Sequence, residues 1–285
     1  MKRYVVAAIL DDHGAMTSQA DALRGTDYEG DLLAAQAEAA GFEGRIGDYR
    51  RLTQRVVDRL ATQGLTEQAA VTQYRVPVVD ALYGFRDRSL SEARALAARA
   101  RPPRAGLELA QAFALLGDRN RAEQARVAAR GQASMSHYGM STAETNLVPA
   151  ILALRRGRPR QAIDELENVD VQGHPGSSFG VWCVKGQAYL ELGEARQAEK
   201  EFQRIVDARG LDPFNPTVPL AVRGVARARL ASGNRQGAAE AYERLLTFWK
   251  DSDKDVPVTM NARAEFERLK AGKRTADVRA SRDGR

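Results

Sequence analysis

The chain has one cysteine, three histidines and few aromatic residues among its 285 positions. The single cysteine, Cys183, cannot form an intramolecular disulfide and excludes a zinc site built from several cysteines. The histidines, His13, His137 and His174, lack the spacing of metal ligands. We therefore expect no metal, no other cofactor and no disulfide framework.

Long apolar runs are also missing from the sequence. Near the N-terminus only six apolar residues, 5–10, precede Asp11. A secretory signal needs about 7–15 apolar residues in a row, and a membrane span needs about 20. The sequence therefore predicts a cytoplasmic protein that does not insert into a membrane.

The positive charge is concentrated at the C-terminal end. The net charge is +6, and the last sixteen residues carry six Lys or Arg against two Asp, which leaves +2 for the rest of the chain. This end has no apolar period, so we expect a basic, disordered tail at 271–285. A solvated tail explains the charge more simply than a nucleic-acid-binding arm, and we expect no nucleic-acid partner.

Helix-forming residues dominate the remainder. Alanine, leucine, arginine and glutamate are abundant, which favours helix throughout. Six short polar turns separate the helical stretches, each opened by a glycine, at intervals of 33 to 40 residues. These glycines are Gly44, Gly84, Gly117, Gly157, Gly193 and Gly233. We expect each of them to end a helix in the left-handed conformation, which costs glycine little.

The last four turns share a further register. An alanine follows each glycine by five residues: Ala122, Ala162, Ala198 and Ala238. A large apolar residue follows by nine in three of them: Leu166, Phe202 and Tyr242. The small side chain lets two helices approach each other, and the large one fills the space between them. Neither helix buries its apolar face alone, so we expect successive helix pairs to stack.

One of these units matches a known repeat at every marked position. Trp182, Gly186, Tyr189, Gly193, Ala198 and Phe202 stand at the intervals of the tetratricopeptide repeat, which this segment resembles. The resemblance implies an all-α, tetratricopeptide-like helix-turn-helix solenoid, a right-handed superhelix of antiparallel helix pairs with a C-terminal capping helix. We expect degenerate helix pairs at 1–102, a better-defined array at 103–255, the capping helix at 256–270 and then the tail.

A narrower resemblance covers residues 4–270. Stretches such as "EFQRIVDARGLDPFNP" and "LLAAQAEAAGFEGRIGDYRRL" are similar to the tetratricopeptide region of bacterial eukaryotic-type serine/threonine protein kinases and of winged-helix regulators. The glycine-rich G-x-G-x-x-G loop, the V-A-I-K strand, the H-R-D loop and the D-F-G motif of a kinase are all absent from the sequence. The resemblance therefore implies a partner-sensing module, and we expect no catalytic activity.

Three short motifs indicate chemistry but fail on spacing. "DSDKDVP" begins like a calcium loop, yet Val256 and Ala262 stand where that loop needs glycine and glutamate, so we expect Asp255 to cap the final helix instead. "SMSHYG" brings Ser134 and Ser136 close to His137, but no oxyanion-hole motif accompanies them, and a loop is the simpler reading. "QGHPGSSFG", at 172–180, does not match a phosphate-binding loop and is expected to connect Asp170 to a helix that starts at Phe179.

The repeat register also predicts a binding surface. In stacked helix pairs the first helices line an extended concave groove. The register places these residues in the groove: Tyr74, Arg75, Val78, Leu107, Glu108, Gln111, Leu147, Ile151, Cys183, Gln187, Arg223 and Arg227. Arg223 and Arg227 are one helical turn apart and could grip a carboxylate, while a solvated arginine face is an equal alternative. We expect a protein or peptide partner with an apolar segment and an acidic end.

The two tryptophans and the cysteine could serve either binding or core packing. Trp182 and Trp249 could anchor a partner, but apolar neighbours at helical spacing favour core packing. Cys183 is expected to be a small structural side chain rather than a reactive thiol. The sequence thus favours a non-catalytic protein-interaction scaffold. The alternative is a sensor or regulatory module that works with a separate kinase or transcriptional regulator.

Overall fold

The protein is all-helical. The structure, a computed structural model, describes residues 2–10, 12–99, 102–135, 142–169 and 175–283. Within these ranges every regular element is a helix and no strand occurs, as the composition predicts. The helices are α1 (Lys2–Ile9), α2 (His13–Leu23), α3 (Glu29–Phe42), α4 (Ile46–Thr62), α5 (Thr66–Tyr83), α6 (Arg86–Ala97), α7 (Pro103–Leu116), α8 (Arg119–Met135), α9 (Thr142–Arg155), α10 (Pro159–Asp164), α11 (Pro175–Glu191), α12 (Ala195–Asp207), α13 (Thr217–Ala231), α14 (Arg235–Phe248) and α15 (Pro257–Asp283), with a 3-10 turn at Ala208–Leu211.

The six predicted turn glycines all have a positive φ, between 66° at Gly157 and 94° at Gly84. Each follows a helix and comes shortly before the next one, so the predicted turn positions are confirmed. Such short connections place consecutive helices antiparallel. The odd-numbered helices also pack on one another, α5 on α7, α7 on α9, α9 on α11 and α11 on α13, so the pairs stack in chain order.

Phe202 shows how two neighbouring pairs are joined. Its ring, on α12, lies against Gly186 of α11 and Gly224 of α13, and is 2% exposed. A Cβ atom at Gly186 would come within 2.8 Å of the ring, and one at Gly224 within 2.6 Å. Gly186 and Gly224, on α11 and α13, therefore form the slot that holds the Phe202 ring.

An early part of the chain, residues 29–83, contacts a late part, residues 212–258, and we call these parts the two ends of the array. The fully buried Trp249, at the end of α14, donates its indole N–H to the carbonyl of Phe42, at the end of α3, with an N–O distance of 3.1 Å. The ring of Phe248 lies 5.0 Å from that of Phe42, and the ring of Tyr83 lies 6.1 Å from that of Trp249. We call residues 42–47 together with 249–253 the clasp. Because α13 also packs on α3, the stacked pairs form a closed circuit.

Backbone hydrogen bonds complete the clasp and correct one expectation. Asp253 donates its backbone N–H to the carbonyl of Gly44, at 3.1 Å, and its carboxylate accepts from the backbone N–H of Gly47, at 2.8 Å. The predicted helix cap, Asp255, is exposed and makes no hydrogen bond to another described residue. In "DSDKDVP" it is therefore Asp253 that has a structural role, and it serves the clasp instead of the final helix.

The final helix is longer than expected. We expected a capping helix at 256–270 and a disordered tail at 271–285, but α15 continues to Asp283. The extra residues are rich in alanine, arginine and lysine, which propagate a helix once it has started.

Two predicted loops fall partly outside the described residues. Of the segment with Ser134, Ser136 and His137, the structure describes only the helical backbone up to Met135. In "QGHPGSSFG" the helix α11 begins at Pro175, four residues before the expected start at Phe179. Proline at the first position of a helix is favourable because its missing N–H would have no partner there.

We predict opposite effects for two Gly→Ala substitutions. Gly224→Ala forces a Cβ into the Phe202 ring and should lower the free energy of unfolding by about 1–3 kcal/mol. Gly131→Ala, in α8, meets nothing within 4 Å and should raise it by about 0.5–1 kcal/mol. Urea unfolding followed by circular dichroism measures both. Equal effects of the two variants would contradict the close approach at Phe202.

We also predict that Trp249, in the clasp, contributes more to the free energy of unfolding than Trp182 does. Trp249→Phe removes the buried N–H donor and leaves space in the core, and should cost about 2–4 kcal/mol. Trp182→Phe is the matched control, because Trp182 is half-buried and its ring faces the Arg204 guanidinium. It should cost about 1 kcal/mol or less. The same unfolding measurement applies, and a Trp249→Phe cost no larger than that of Trp182→Phe would refute the role of the clasp.

Candidate functional site

The closed circuit surrounds a central cavity of about 250 Å³. Its walls come from α5, α7, α9, α11 and α13, the first helices of successive pairs, and from Val258 of α15. Phe202, held in its glycine slot, also reaches the wall. The helices that stack in chain order therefore also line the candidate site.

The lining of the central cavity combines positive charge with apolar surface. Four arginines line it, Arg86, Arg155, Arg223 and Arg227, and no aspartate or glutamate does. The rest is mainly leucine, isoleucine and valine, with Gln111, Gln187 and Thr217 as neutral polar groups. Such a surface complements a ligand that has an anionic group and an apolar part.

Seven of the twelve residues predicted for the groove line this cavity. They are Gln111, Leu147, Ile151, Cys183, Gln187, Arg223 and Arg227. The register places them together because each stands on the first helix of its pair, at the face turned toward the neighbouring first helices. The middle and the C-terminal end of the predicted groove are thus one surface in the folded chain.

The other five predicted residues lie elsewhere. Tyr74, Val78 and Leu107 are 2%, 4% and 8% exposed, and the Tyr74 hydroxyl donates to the carbonyl of Leu96, at 2.9 Å. They belong to the core because α6 and α7 cover this face of α5. Glu108 is half-buried outside the cavity wall, and Arg75 lines a second cavity, formed by α3, α4, α5 and residues 212–216.

The paired arginines already hold a carboxylate of this chain. Arg223 donates two hydrogen bonds to Glu265 of α15, from Nη2 to Oε1 at 2.6 Å and from Nε to Oε2 at 3.1 Å. Arg227 donates to the same two oxygens, and the Tyr242 hydroxyl donates to Oε2 at 3.0 Å. The sequence left two alternatives for these arginines, a site for a partner carboxylate and a solvated face. The structure matches neither completely, because the arginines bind a carboxylate that comes from the final helix.

The electrostatics of this cluster are strongly favourable. Burial alone would raise the pKa of Glu265, but the hydrogen bonds from Arg223 and Arg227 outweigh it and lower that pKa to about 2. Burial, followed by the charge of Glu265, raises the pKa of Tyr242 to about 12, so its hydroxyl stays a donor. The Glu265 carboxylate is therefore ionised at any physiological pH, and it ties α15 to α13 and α14.

Cys183 lines the cavity as an inert side chain. It is 6% exposed, and burial raises the pKa of its thiol to about 12. Only the thiolate is an effective nucleophile, so this thiol is unreactive at neutral pH. The amide of Gln187 contacts its sulfur at 3.7 Å.

Three residues of the candidate site were not among those predicted from the sequence. Arg86 lies at the start of α6 and Arg155 at the end of α9, both outside the positions that the repeat register assigns to the groove. Arg155 stands four residues after Ile151, which the register does include. The two residues share one face of α9, so Arg155 could have been predicted from helical periodicity. Glu265 had no such signal, because α15 follows the last helix pair and its packing depends on closure of the circuit.

Some kinds of site do not occur in the part of the chain that the structure describes. No group of three or more histidine, cysteine, aspartate or glutamate side chains is arranged there to hold a metal ion. Likewise, none of the helices in the described ranges combines the length and the apolar character that crossing a bilayer requires.

The chain matches no family model, and it has no significant match among curated proteins.

We predict a pH-dependent contribution of Glu265 to stability. Its pKa falls from 4.5 to about 2 on folding, so its stabilisation is complete above pH 4.5 and is lost as the pH falls toward 2. Glu265→Gln should lower the free energy of unfolding by about 1–2 kcal/mol at about pH 7, and the difference from wild type should shrink by about pH 3. Urea unfolding at both pH values measures it.

Glu267→Gln is the matched control, because Glu267 is exposed on the same helix and forms an ion pair with Lys270. It should change stability by less than about 0.5 kcal/mol at either pH. We call the contact of Glu265 with Arg223, Arg227 and Tyr242 the Glu265 clamp. A cost for Glu265→Gln that stays constant with pH would contradict it.

Proposed function

We propose that the chain is a non-catalytic, tetratricopeptide-like protein-interaction module whose central cavity takes the acidic end of a partner polypeptide. The observation that carries the proposal is the lining of the cavity, in which four arginines stand among apolar side chains and no carboxylate is present. The turn register and the Phe202 slot support the assignment of the helix pairs to this repeat type. The chain then acts as a scaffold or adaptor.

The Glu265 clamp supports a carboxylate as the recognised group. Arg223 and Arg227 are already oriented to hold both oxygens of one carboxylate. A partner carboxylate could displace Glu265, or it could bind the other two arginines, Arg86 and Arg155. Arg155 makes no ion pair with another described residue, so its charge is available to a ligand.

The size of the cavity limits how much of a partner enters. Pockets for drug-sized ligands have about 300–1,000 Å³, and this cavity has about 250 Å³. It can hold a chain terminus with one or two apolar side chains, but not a long extended segment. A C-terminal carboxylate preceded by leucine or valine fits both the charge and the volume.

The test is the binding of fluorescent ten-residue peptides that end in leucine and glutamate, measured by anisotropy. Each peptide is compared with its C-terminal amide and with its glutamine counterpart, which remove the negative charges one at a time. We expect binding of the acid form to weaken at least about tenfold when either charge is removed, and again in Arg155→Glu. Glu265→Gln should tighten it, because the arginine pair loses its internal carboxylate.

Arg156→Glu is the matched control, since Arg156 is exposed beside Arg155 but does not line the cavity. It should bind the acid peptide like wild type. Equal losses in Arg155→Glu and Arg156→Glu would show a non-specific charge effect. The absence of binding to every acidic peptide would remove the proposed function.

A further inference from the structure

The second cavity, at the junction of the two ends of the array, is separate from the central one. It has a volume of about 130 Å³ and shares no lining residue with the central cavity. Its walls come from α3, α4 and α5 on the N-terminal side and from 212–216, just before α13, on the C-terminal side. A volume near 150 Å³ is enough to bind benzene in an apolar cavity, so this one has room for a small molecule.

Three polar side chains of its wall have no hydrogen-bond partner among the described residues. Tyr49 and Thr53, on α4, are 6% and 3% exposed, and neither hydroxyl makes a hydrogen bond to a described residue. The guanidinium of Arg75, on α5, is half-buried and likewise lacks both a hydrogen bond and an ion pair. None of these polar atoms is among the buried unpaired ones. They therefore reach the open space of the cavity, where they can hydrogen-bond to a polar occupant.

Tyr49 is also held in place by close packing. A Cβ atom at Gly41, on α3, would stand 3.1 Å from the Tyr49 ring, so only glycine leaves the ring its full space. The hydroxyl is therefore positioned by the fold. A rigid donor or acceptor loses little entropy when it binds a ligand.

Charges of both signs face this cavity without neutralising each other by contact. Arg75 lines it together with Glu38 and Asp212, yet no described carboxylate lies within ion-pair distance of the guanidinium. Burial lowers the pKa of Arg75, but the charges of Glu108, Tyr49 and Glu38 outweigh it and raise that pKa. Burial is the main cause that raises the pKa of the Glu38 carboxyl, against the charge of Arg75. Glu38 is nevertheless exposed to water, as expected of a carboxyl that faces a cavity.

The remaining wall is apolar. Alanine and valine side chains from α3, α4 and α5 line it, together with the ring of Phe214. Asp212 is oriented by Asn215, whose side-chain amide donates to its carboxylate at 2.8 Å. The cavity thus offers a cation for a carboxylate, carboxylates for an ammonium group, and an apolar surface for a short aliphatic chain.

We propose that the second cavity binds a small zwitterion with an aliphatic side chain, that is, an aliphatic α-amino acid. Its carboxylate binds Arg75, its ammonium group binds Glu38 and Asp212, and its side chain lies against the valines and Phe214. The site is independent of the proposed peptide site. Because its walls come from both ends of the array, an occupant bridges them and stabilises the closed circuit.

The test uses L-leucine and two analogues that each lack one of its charges. Isothermal titration and thermal unfolding of the full chain are measured with L-leucine, with 4-methylpentanoate, which lacks the ammonium group, and with isoamylamine, which lacks the carboxylate. We expect saturable binding of L-leucine with a matching rise in Tm. Each analogue should bind about ten- to a hundredfold more weakly, the effect of one lost charge-assisted hydrogen bond.

Two variants locate the binding in the cavity. Arg75→Gln should weaken L-leucine binding by about ten- to a hundredfold, while Arg55→Gln, at an exposed position of α4, should not change it. Ala34→Leu fills the cavity without altering a charge and should abolish binding. Circular dichroism verifies that each variant is folded, and if Arg75→Gln is not, the Ala34→Leu result decides.

Three results would overturn the proposal. Equal binding of 4-methylpentanoate and L-leucine would show a simple anion site. An unchanged affinity in Ala34→Leu would place the binding elsewhere. No heat and no Tm shift with L-leucine at millimolar concentration would leave ordered water as the only occupant.

Discussion

The indole N–H of Trp249 bonded to the carbonyl of Phe42 is the contact on which the architecture depends. It joins positions 207 residues apart, and both partners are buried in a cluster of aromatic rings. The loop that it closes is long, so the entropic cost of closure must be offset by many contacts formed together. The ring pairs and the Asp253 hydrogen bonds to the 44–47 turn supply them. An array of helix pairs that would otherwise interact only with neighbours thereby becomes one cooperative unit.

Closure also explains the chemistry of the interior. In an extended array the first helices line a long groove, whereas in the closed circuit they face a cavity of about 250 Å³. Arginines from α6, α9 and α13 then line one cavity, and of these only Arg223 is largely buried. Glu265 neutralises part of this charge from α15. The final helix therefore both covers the last pair and supplies an internal carboxylate.

Local features of the fold could be predicted from the sequence, and contacts between distant residues could not. Gly193 and Gly233 reveal their turns because only glycine adopts a positive φ easily. Leu147, Ile151 and Cys183 could be assigned to one surface because helical register is a local property. Tyr74 has the same register, yet α6 covers it, and its hydroxyl donates a hydrogen bond to the Leu96 carbonyl of that helix. The clasp and the Glu265 clamp could not be predicted from the repeated sequence pattern. Both depend on the number of helix pairs between the two ends and on the rotation of each pair relative to the one before it.

The most direct test of this account is the distance between the two ends in solution. Spin labels at Arg55→Cys on α4 and Glu243→Cys on α14, both exposed positions, are introduced in a Cys183→Ser background. Double electron–electron resonance then reports the distribution of distances between the labels. The closed circuit predicts one narrow distribution that matches the structure. A broad distribution, or one centred on a much longer distance, would show an open array and would contradict the clasp and both cavities that depend on it.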